Sequence, residues 1–285
     1  MTNIKVITKK SKNPGKNVVI LAGVHGNEIC GVNVFDKLIP KIKIIRGKLT
    51  FIYANLEAIK KNKRFIEKNL NRCFLINQSQ EISKSLEGKT ARKIMPYLRE
   101  ADAMLDIHAS NTRDSSPFLI CEKQSFDMAG KLPGRLISYN WDKFHSGSTD
   151  YFMNLQKKIG ICIECGYLGN KKSEKIAETA ITNFLSLNKN INQKLKKISK
   201  KRIYKIVSMY VNKKDSFVKS KNFRDFEIIK RRTLIGKEGN KKIYLNKGKK
   251  VIFVRDCKKL NSDCFMVAEE KLLNRKKLDT KKEIK

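Results

Sequence analysis

Val18-Val19-Ile20-Leu21-Ala22-Gly23-Val24-His25-Gly26-Asn27-Glu28 is the stretch whose reading decides the fold. Its first five residues are apolar and rich in β-branched side chains, as in a buried strand. The run stops at a glycine. A histidine follows two residues later, and a glutamate three beyond that. Imidazole and carboxylate at i and i+3, past a strand end and at a helix start, can turn onto one cation. Zn²⁺ accepts nitrogen and oxygen ligands, and a catalytic zinc takes three from the protein and leaves one position for water. The same spacing also suits a polar strand-to-helix turn with a capping glutamate, so the rest of the chain has to decide.

Outward from this stretch, residues 2–8 alternate as an edge strand, and Asn13-Pro14-Gly15 turns into the strand at 17–22. Ile29, Val32, Phe35 and Leu38 recur at helical spacing, which predicts a helix over 27–38, with Pro40 just beyond its end. Residues 49–54 read as a second buried strand ending at Asn55. Residues 60–80 are polar and aperiodic, a long loop of the kind compact domains keep for function. A helix near 88–99 leads into Ala103-Met104-Leu105-Asp106-Ile107-His108, a third strand with a histidine at its tip. Residues 117–121 make a short strand, and 134–147 are irregular, with Trp141 read as a packing residue and His145 as a loop histidine. A helix over 149–158, a buried strand at 161–166 and an amphipathic helix over 172–187 follow.

Strands alternating with helices imply an α/β fold with a mostly parallel or mixed sheet flanked by helices. In such sheets ligands sit beyond the carboxyl ends of the strands. His25, Asn55, His108 and Glu164 all follow or end strands, so they are predicted to share one rim. The first domain spans 1–190, a lysine-rich linker 191–202, a small all-β domain 203–270, and a charged, disordered tail 271–285.

The chain has 285 residues and a net charge of +36. Its lysines are spread among many Ile and Asn residues and accompany no nucleic-acid-binding motif, which weighs against a dedicated nucleic-acid surface. The field would still attract small anions. The seven cysteines are odd in number and lie in apolar stretches, as buried thiols of a reducing compartment do. Cys162 and Cys165 form a C-x-x-C, but no second pair or thioredoxin-like context accompanies it. No hydrophobic leader and no membrane-spanning run is present, so the expected location is cytoplasmic, with no membrane partner.

Taken together, His25, Glu28 and His108 supply two imidazoles and a carboxylate, the ligand set of a hydrolytic zinc centre, with Glu164 as its general base. The long loop adds Arg64 and Asn69-Leu70-Asn71-Arg72. A guanidinium fork suits a substrate carboxylate, and a second arginine can hold an acyl oxyanion. Each residue alone has a plainer reading: a core histidine for His108, a solvent-facing strand end for Glu164, a solvated charge for either arginine.

The motifs G-V-H-G-N-E (23–28), Arg64 with L-N-R (70–72), L-D-I-H (105–108), S-G-S-T-D-Y (146–151) and I-E-C-G (163–166), in that order, resemble the succinylglutamate desuccinylase/aspartoacylase family of zinc-carboxypeptidase-like hydrolases. The resemblance implies one Zn²⁺ per chain held by His25, Glu28 and His108, and Glu164 as general base and acid. It implies that Arg64 polarises the scissile carbonyl, and that Asn71 and Arg72 bind a substrate carboxylate. It further implies a small-molecule N-acyl amino acid substrate and a C-terminal β domain. Two positions depart from the family: Asn69 stands where it commonly has Asp, and Leu56 where it commonly has Pro. The alternatives are a zinc carboxypeptidase or peptide-tail amidase with the same metal centre, and a non-catalytic metal-holding or RNA-associated protein.

Overall fold

The computed structural model describes residues 3–271 apart from Lys197 and Ser199. The chain runs β1 (Lys5–Lys10), β2 (Asn17–Ala22), α1 (Cys30–Leu38), β3 (Lys48–Tyr53), α2 (Leu56–Lys60), a 3-10 turn at Leu70–Arg72, α3 (Gln80–Lys84), α4 (Leu86–Glu100) and β4 (Ala103–Ser110). Then come β5 (Phe118–Ile120), a second 3-10 turn at Lys123–Ser125, α5 (Phe126–Ala129), β6 (Leu136–Tyr139), α6 (Thr149–Leu155), β7 (Ile159–Tyr167) and α7 (Lys172–Leu187). The last seven strands are β8 (Arg202–Val211), β9 (Phe217–Lys219), β10 (Glu227–Ile228), β11 (Thr233–Glu238), β12 (Lys241–Leu245), β13 (Lys250–Ile252) and β14 (Asp263–Lys271). No helix among the described residues is long and apolar enough to cross a membrane.

Eleven strands form one mixed sheet in the order β1-β3-β2-β4-β7-β5-β6-β8-β14-β13-β10. β3, β2, β4 and β7 are parallel, so their carboxyl ends share a rim. β2 is apolar on both faces because both are covered. Val18, Ile20 and Ala22 pack with α1 and α7 around Phe35 and Phe184, while Val19 and Leu21 pack on the other face with α4 around Ile94 and Leu98. The α/β class and the order of the main strands agree with the sequence reading. α1 starts only at Cys30, not at residue 27, because Glu28 is held by groups outside the helix. The segment 134–147, expected to be irregular, contains β6.

That short strand has a large consequence. β6 pairs parallel with β8, so the sheet passes from the first segment straight into the C-terminal one. β8, β14, β13 and β10 extend the main sheet, and only β9, β11 and β12 form a separate antiparallel sheet. The chain linker at 191–202 is therefore bridged by sheet hydrogen bonds. Of the tail read at 271–285, residues 272–285 lie outside the described residues.

The long loop is not free either. Glu87, fully buried in the first turn of α4, accepts hydrogen bonds from the backbone N–H groups of Ile66 (2.7 Å), Glu67 (3.1 Å) and Lys68 (3.0 Å), and from Asn55 Nδ2 (3.3 Å). One carboxylate thus fixes the chain just after Arg64. Removing it strands several donors, at about 1–3 kcal/mol for each that water cannot reach. Glu87→Ala is expected to lower Tm by at least about 5 °C, and an unchanged Tm in a thermal melt would contradict this account.

Candidate metal centre and pocket

His25 and Glu28 lie in the turn between β2 and α1, and His108 lies on β4, the strand beside β2. Gly26 donates its N–H to the Arg64 carbonyl at 3.2 Å, which seats the long loop on this turn. The three side chains are buried and converge. His25 Nδ1 is 2.8 Å from Glu28 Oε1, and His108 Nδ1 is 2.9 Å from Glu28 Oε2. Glu28 also accepts from Arg64 Nη1 (2.8 Å) and from the Ala109 N–H (3.1 Å).

The far sides of both rings are occupied by acceptors. His25 Nε2 is 3.0 Å from Asn69 Oδ1, an oxygen whose place is set by the Asn71 N–H, which donates to it at 3.0 Å. His108 Nε2 is 3.0 Å from Asp106 Oδ2, which also accepts from Thr149 Oγ1 at 2.6 Å. An acceptor at Nε2 places the proton there, so that the Nδ1 lone pair of a neutral ring faces a Glu28 oxygen. Where the ring is neutral, two lone pairs then meet at hydrogen-bond distance with no proton between them. For His25 this applies directly: burial, with Arg64 nearby, lowers its pKa to about 4. His108 is raised well above its ordinary value because Asp106, against the cost of burial, favours the imidazolium. Despite burial, Glu28 is lowered well below the carboxylate range by His25 and His108.

This arrangement fits a cation. One ligand atom from each of His25, Glu28 and His108 lies within 4.8 Å of the others, and two nitrogens with a carboxylate are the donor set of a hydrolytic zinc site. Outer acceptors on both histidines are what metal-ligating imidazoles usually have. Asp106, His108 and Cys162 form a second close group, but it lies behind the His108 ring and shares that histidine.

Glu164 sits on β7 directly across from His108 in the sheet register, which puts both side chains on one face. Its Oε2 is buried with no hydrogen-bond partner among the described residues. Burial first, and then the charge of Glu28, raise its pKa to about 8. Arg72 is lowered to about 10, chiefly by burial, and stays charged. Its Nη1 donates to the Asn71 carbonyl at 2.6 Å, and it enters no ion pair among the described residues. Asn71 Oδ1 accepts from the Thr149 N–H at 3.1 Å. Gly147, at φ +80°, explains the S-G-S stretch: a Cβ there would lie 2.6 Å from the Arg72 carbonyl oxygen.

All seven residues singled out from the sequence line one pocket of about 700 Å³. Asn55 does not. It is fully buried and bonded to Asn3 and Glu87, so it braces the loop instead of joining the rim. At position 69, where the family commonly has Asp, the Asn69 amide oxygen makes two contacts, to His25 Nε2 and to the Asn71 N–H. His145, read as a loop histidine, lines the pocket and is 2.8 Å from Asp263 Oδ2 on β14. Trp141, read as a packing residue, is buried with its Nε1–H on Ser138 Oγ at 3.0 Å, and it also lines the pocket. All seven cysteines are buried and free. Asp106 was within reach of the sequence, since i and i+2 on a strand share a face. Asp263 had no local signal.

A pocket with a candidate metal-ligand set at the carboxyl rim of a mixed α/β sheet is what fold and site define. Residues 14–192 match the family model of the succinylglutamate desuccinylase/aspartoacylase catalytic domain, and the chain belongs to that family. A succinylglutamate desuccinylase of Pseudomonas putida (strain GB-1) is 33% identical over 101 residues, covering 34% of this chain and 29% of that protein. A probable aspartoacylase of Nostoc is 29% identical over 165 residues, 52% of this chain and 54% of the relative. The matched stretches thus span under two thirds of these relatives. The crystal structure of a succinylglutamate desuccinylase from Vibrio parahaemolyticus shares the fold, with a TM-score of 0.76 at 18% identity, over 93% of this chain and 86% of that one. The product-bound ectoine utilization protein EutE of Ruegeria pomeroyi has a TM-score of 0.71 at 17% identity, over 93% and 88%.

Proposed function

We propose that the protein is a zinc-dependent hydrolase that cleaves the amide of an N-acyl amino acid or a related small carboxylate. The observation that carries this is the convergence of both Nδ1 atoms on Glu28, beside an unpaired, buried Glu164 oxygen in the same pocket. His25, Glu28 and His108 would hold the ion. When bound, zinc supplies a Lewis acid that lowers the pKa of a water to about 7. Glu164 takes a proton from the attacking water and returns it to the leaving nitrogen. Asn71 and Arg72 hold a carboxylate of the substrate, and Arg64 meets the oxyanion that forms on the acyl carbon. Asp106 and Asn69 keep the two imidazoles in the tautomer that presents Nδ1.

Purified protein is expected to carry one zinc per chain, and His25→Ala and His108→Ala are expected to lose it. Elemental analysis measures this directly. A screen of N-acyl amino acids and short peptides with zinc-loaded protein tests the reaction. No stoichiometric metal after reconstitution, or no hydrolysis of any acylated amino acid, overturns the reading, and turnover of peptides alone would make it a carboxypeptidase.

A further inference from the structure

Four polar residues stand together on two otherwise apolar strands. Leu105-Asp106-Ile107-His108 on β4 pairs in parallel with Ile161-Cys162-Ile163-Glu164 on β7, Asp106 opposite Cys162 and His108 opposite Glu164. Residues i and i+2 of a strand share a face, so the four form a square on one side of the sheet. Its outer edge, His108 and Glu164, belongs to the site described above. Its inner edge, Asp106 and Cys162, has no chemistry assigned to it beyond the hold of Asp106 on the His108 ring. Cys165, three residues on, falls on the opposite face and packs in the apolar core with Ile107 and Phe184. The C-x-x-C of the sequence is therefore split across the sheet, and Cys162 acts apart from Cys165.

One ligand atom from each of Asp106, His108 and Cys162 lies within 4.8 Å of the others. All three side chains are buried, Asp106 completely, and Asp106 Oδ1 has no hydrogen-bond partner among the described residues. Thr149 Oγ1, 2.6 Å from Asp106 Oδ2 and 3.6 Å from Cys162 Sγ, closes the group. His108 and Cys162 both line the pocket, which gives a small ion a way in. Sulfur beside imidazole is a soft donor set, suited to ions that bond strongly to thiolate. Burial pushes the Cys162 thiol well above its ordinary range, so a hard cation does not displace its proton.

The His108 ring lies between two carboxylates, with Glu28 Oε2 2.9 Å from Nδ1 and Asp106 Oδ2 3.0 Å from Nε2. An ion at Nδ1 leaves the ring proton on Nε2, where Asp106 accepts it. An ion at Nε2 leaves it on Nδ1, where Glu28 accepts it. Each of these states keeps a neutral imidazole with its N–H satisfied. Ions on both nitrogens would remove both protons and leave an imidazolate, a far costlier form.

We propose that Asp106, His108 Nε2 and Cys162 form a second cation site for a thiophilic ion, which competes with the first site for the one shared histidine. Binding forms metal–sulfur and metal–nitrogen bonds, releases the Cys162 thiol proton and the Nε2 proton to solvent, and changes no oxidation state. The site stands without the zinc reading; only the competition rests on it.

Cd²⁺ is the probe, because thiolate bound to it gives a charge-transfer absorption that nitrogen and oxygen ligands do not. Cadmium added to zinc-free protein is expected to produce that band. His25→Ala, which breaks the first site, should keep it. Cys162→Ala and Cys162→Ser should lose it while still binding zinc, which shows that they fold. Saturating zinc should weaken cadmium binding, read from the band, by about tenfold or more, within the usual range of coupling between two sites. X-ray absorption of cadmium-loaded His25→Ala protein should show one sulfur together with nitrogen. No band in the parent, a band that survives in both Cys162 variants, or a cadmium shell with no sulfur or with two overturns the site. Identical cadmium titrations with and without bound zinc overturn the sharing of the ring. Failure of the zinc reading appears instead as a parent that binds no zinc, with the cadmium band intact.

Discussion

Glu164→Gln is expected to keep its zinc and its fold while losing about 10²-fold or more in kcat, the usual scale for an acid–base group. The substitution is nearly isosteric and removes only the capacity to take and return a proton. Glu164 is not among the three converging ligand residues, so metal content should stay at the parent value. Equal loss of zinc and activity would instead make it a structural member of the metal site.

The same variant should also show a pH signature in the zinc-free protein. Burial raises Glu164 from the ordinary 4.5 to about 8. A group whose folded pKa is raised contributes stability that is complete below its unfolded pKa and is lost as pH rises through the folded one. Zinc-free parent protein should therefore lose stability between about pH 4.5 and 8 as this carboxyl ionises. Glutamine does not ionise, so Glu164→Gln should melt at a higher temperature than the parent above that window and lack this part of the slope. Parallel Tm-against-pH curves for the two proteins would show that Glu164 is not the group concerned.

The second large effect divides the two inner arginines. Arg72 is proposed to grip a carboxylate present throughout the reaction, and Arg64 an oxyanion present only during attack. An interaction equal in ground and transition states raises KM when it is removed and leaves kcat nearly alone. One made only in the transition state lowers kcat and kcat/KM together. Arg64→Ala should cut kcat by about 10²–10³-fold, as loss of one oxyanion donor does. Arg72→Ala should mainly raise KM, and a substrate lacking its free carboxylate should not tell mutant from parent. The structure sharpens the experiment, because Arg64 Nη1 lies 2.8 Å from Glu28 Oε1. Zinc content therefore has to be measured alongside, and a kcat loss that follows zinc loss would count against the oxyanion role. The same KM-only change in both variants with every substrate would end the division of labour.

Much of this architecture was legible in the chain because it is local. Five apolar residues ending at a glycine define β2, helical spacing defines α1 and α7, and parallel strands bring their carboxyl ends to one rim. Strand order alone predicts His25, Asn55, His108 and Glu164 on one rim, and the structure brings three of these four to the pocket, together with Glu28. The alternation of the sequence also held Asp106 on the face of His108.

Only the tertiary structure decided which neighbours serve them. Asn69 takes up His25 with an amide oxygen because the Asn71 N–H turns that oxygen inward. Asn55, at an equally well-placed strand end, is turned away by Asn3 and Glu87. The outer wall is the least local feature of all. Asp225 meets Ser115 from 110 residues away, and Asp263 meets His145 from 118. Both contacts depend on four-residue β6 carrying the sheet across to β8. A strand that short has too few residues to show a period, and its pairing energy comes from partners far along the chain. Local pattern could place the candidate metal ligands, and the long-range register of one short strand built the pocket around them.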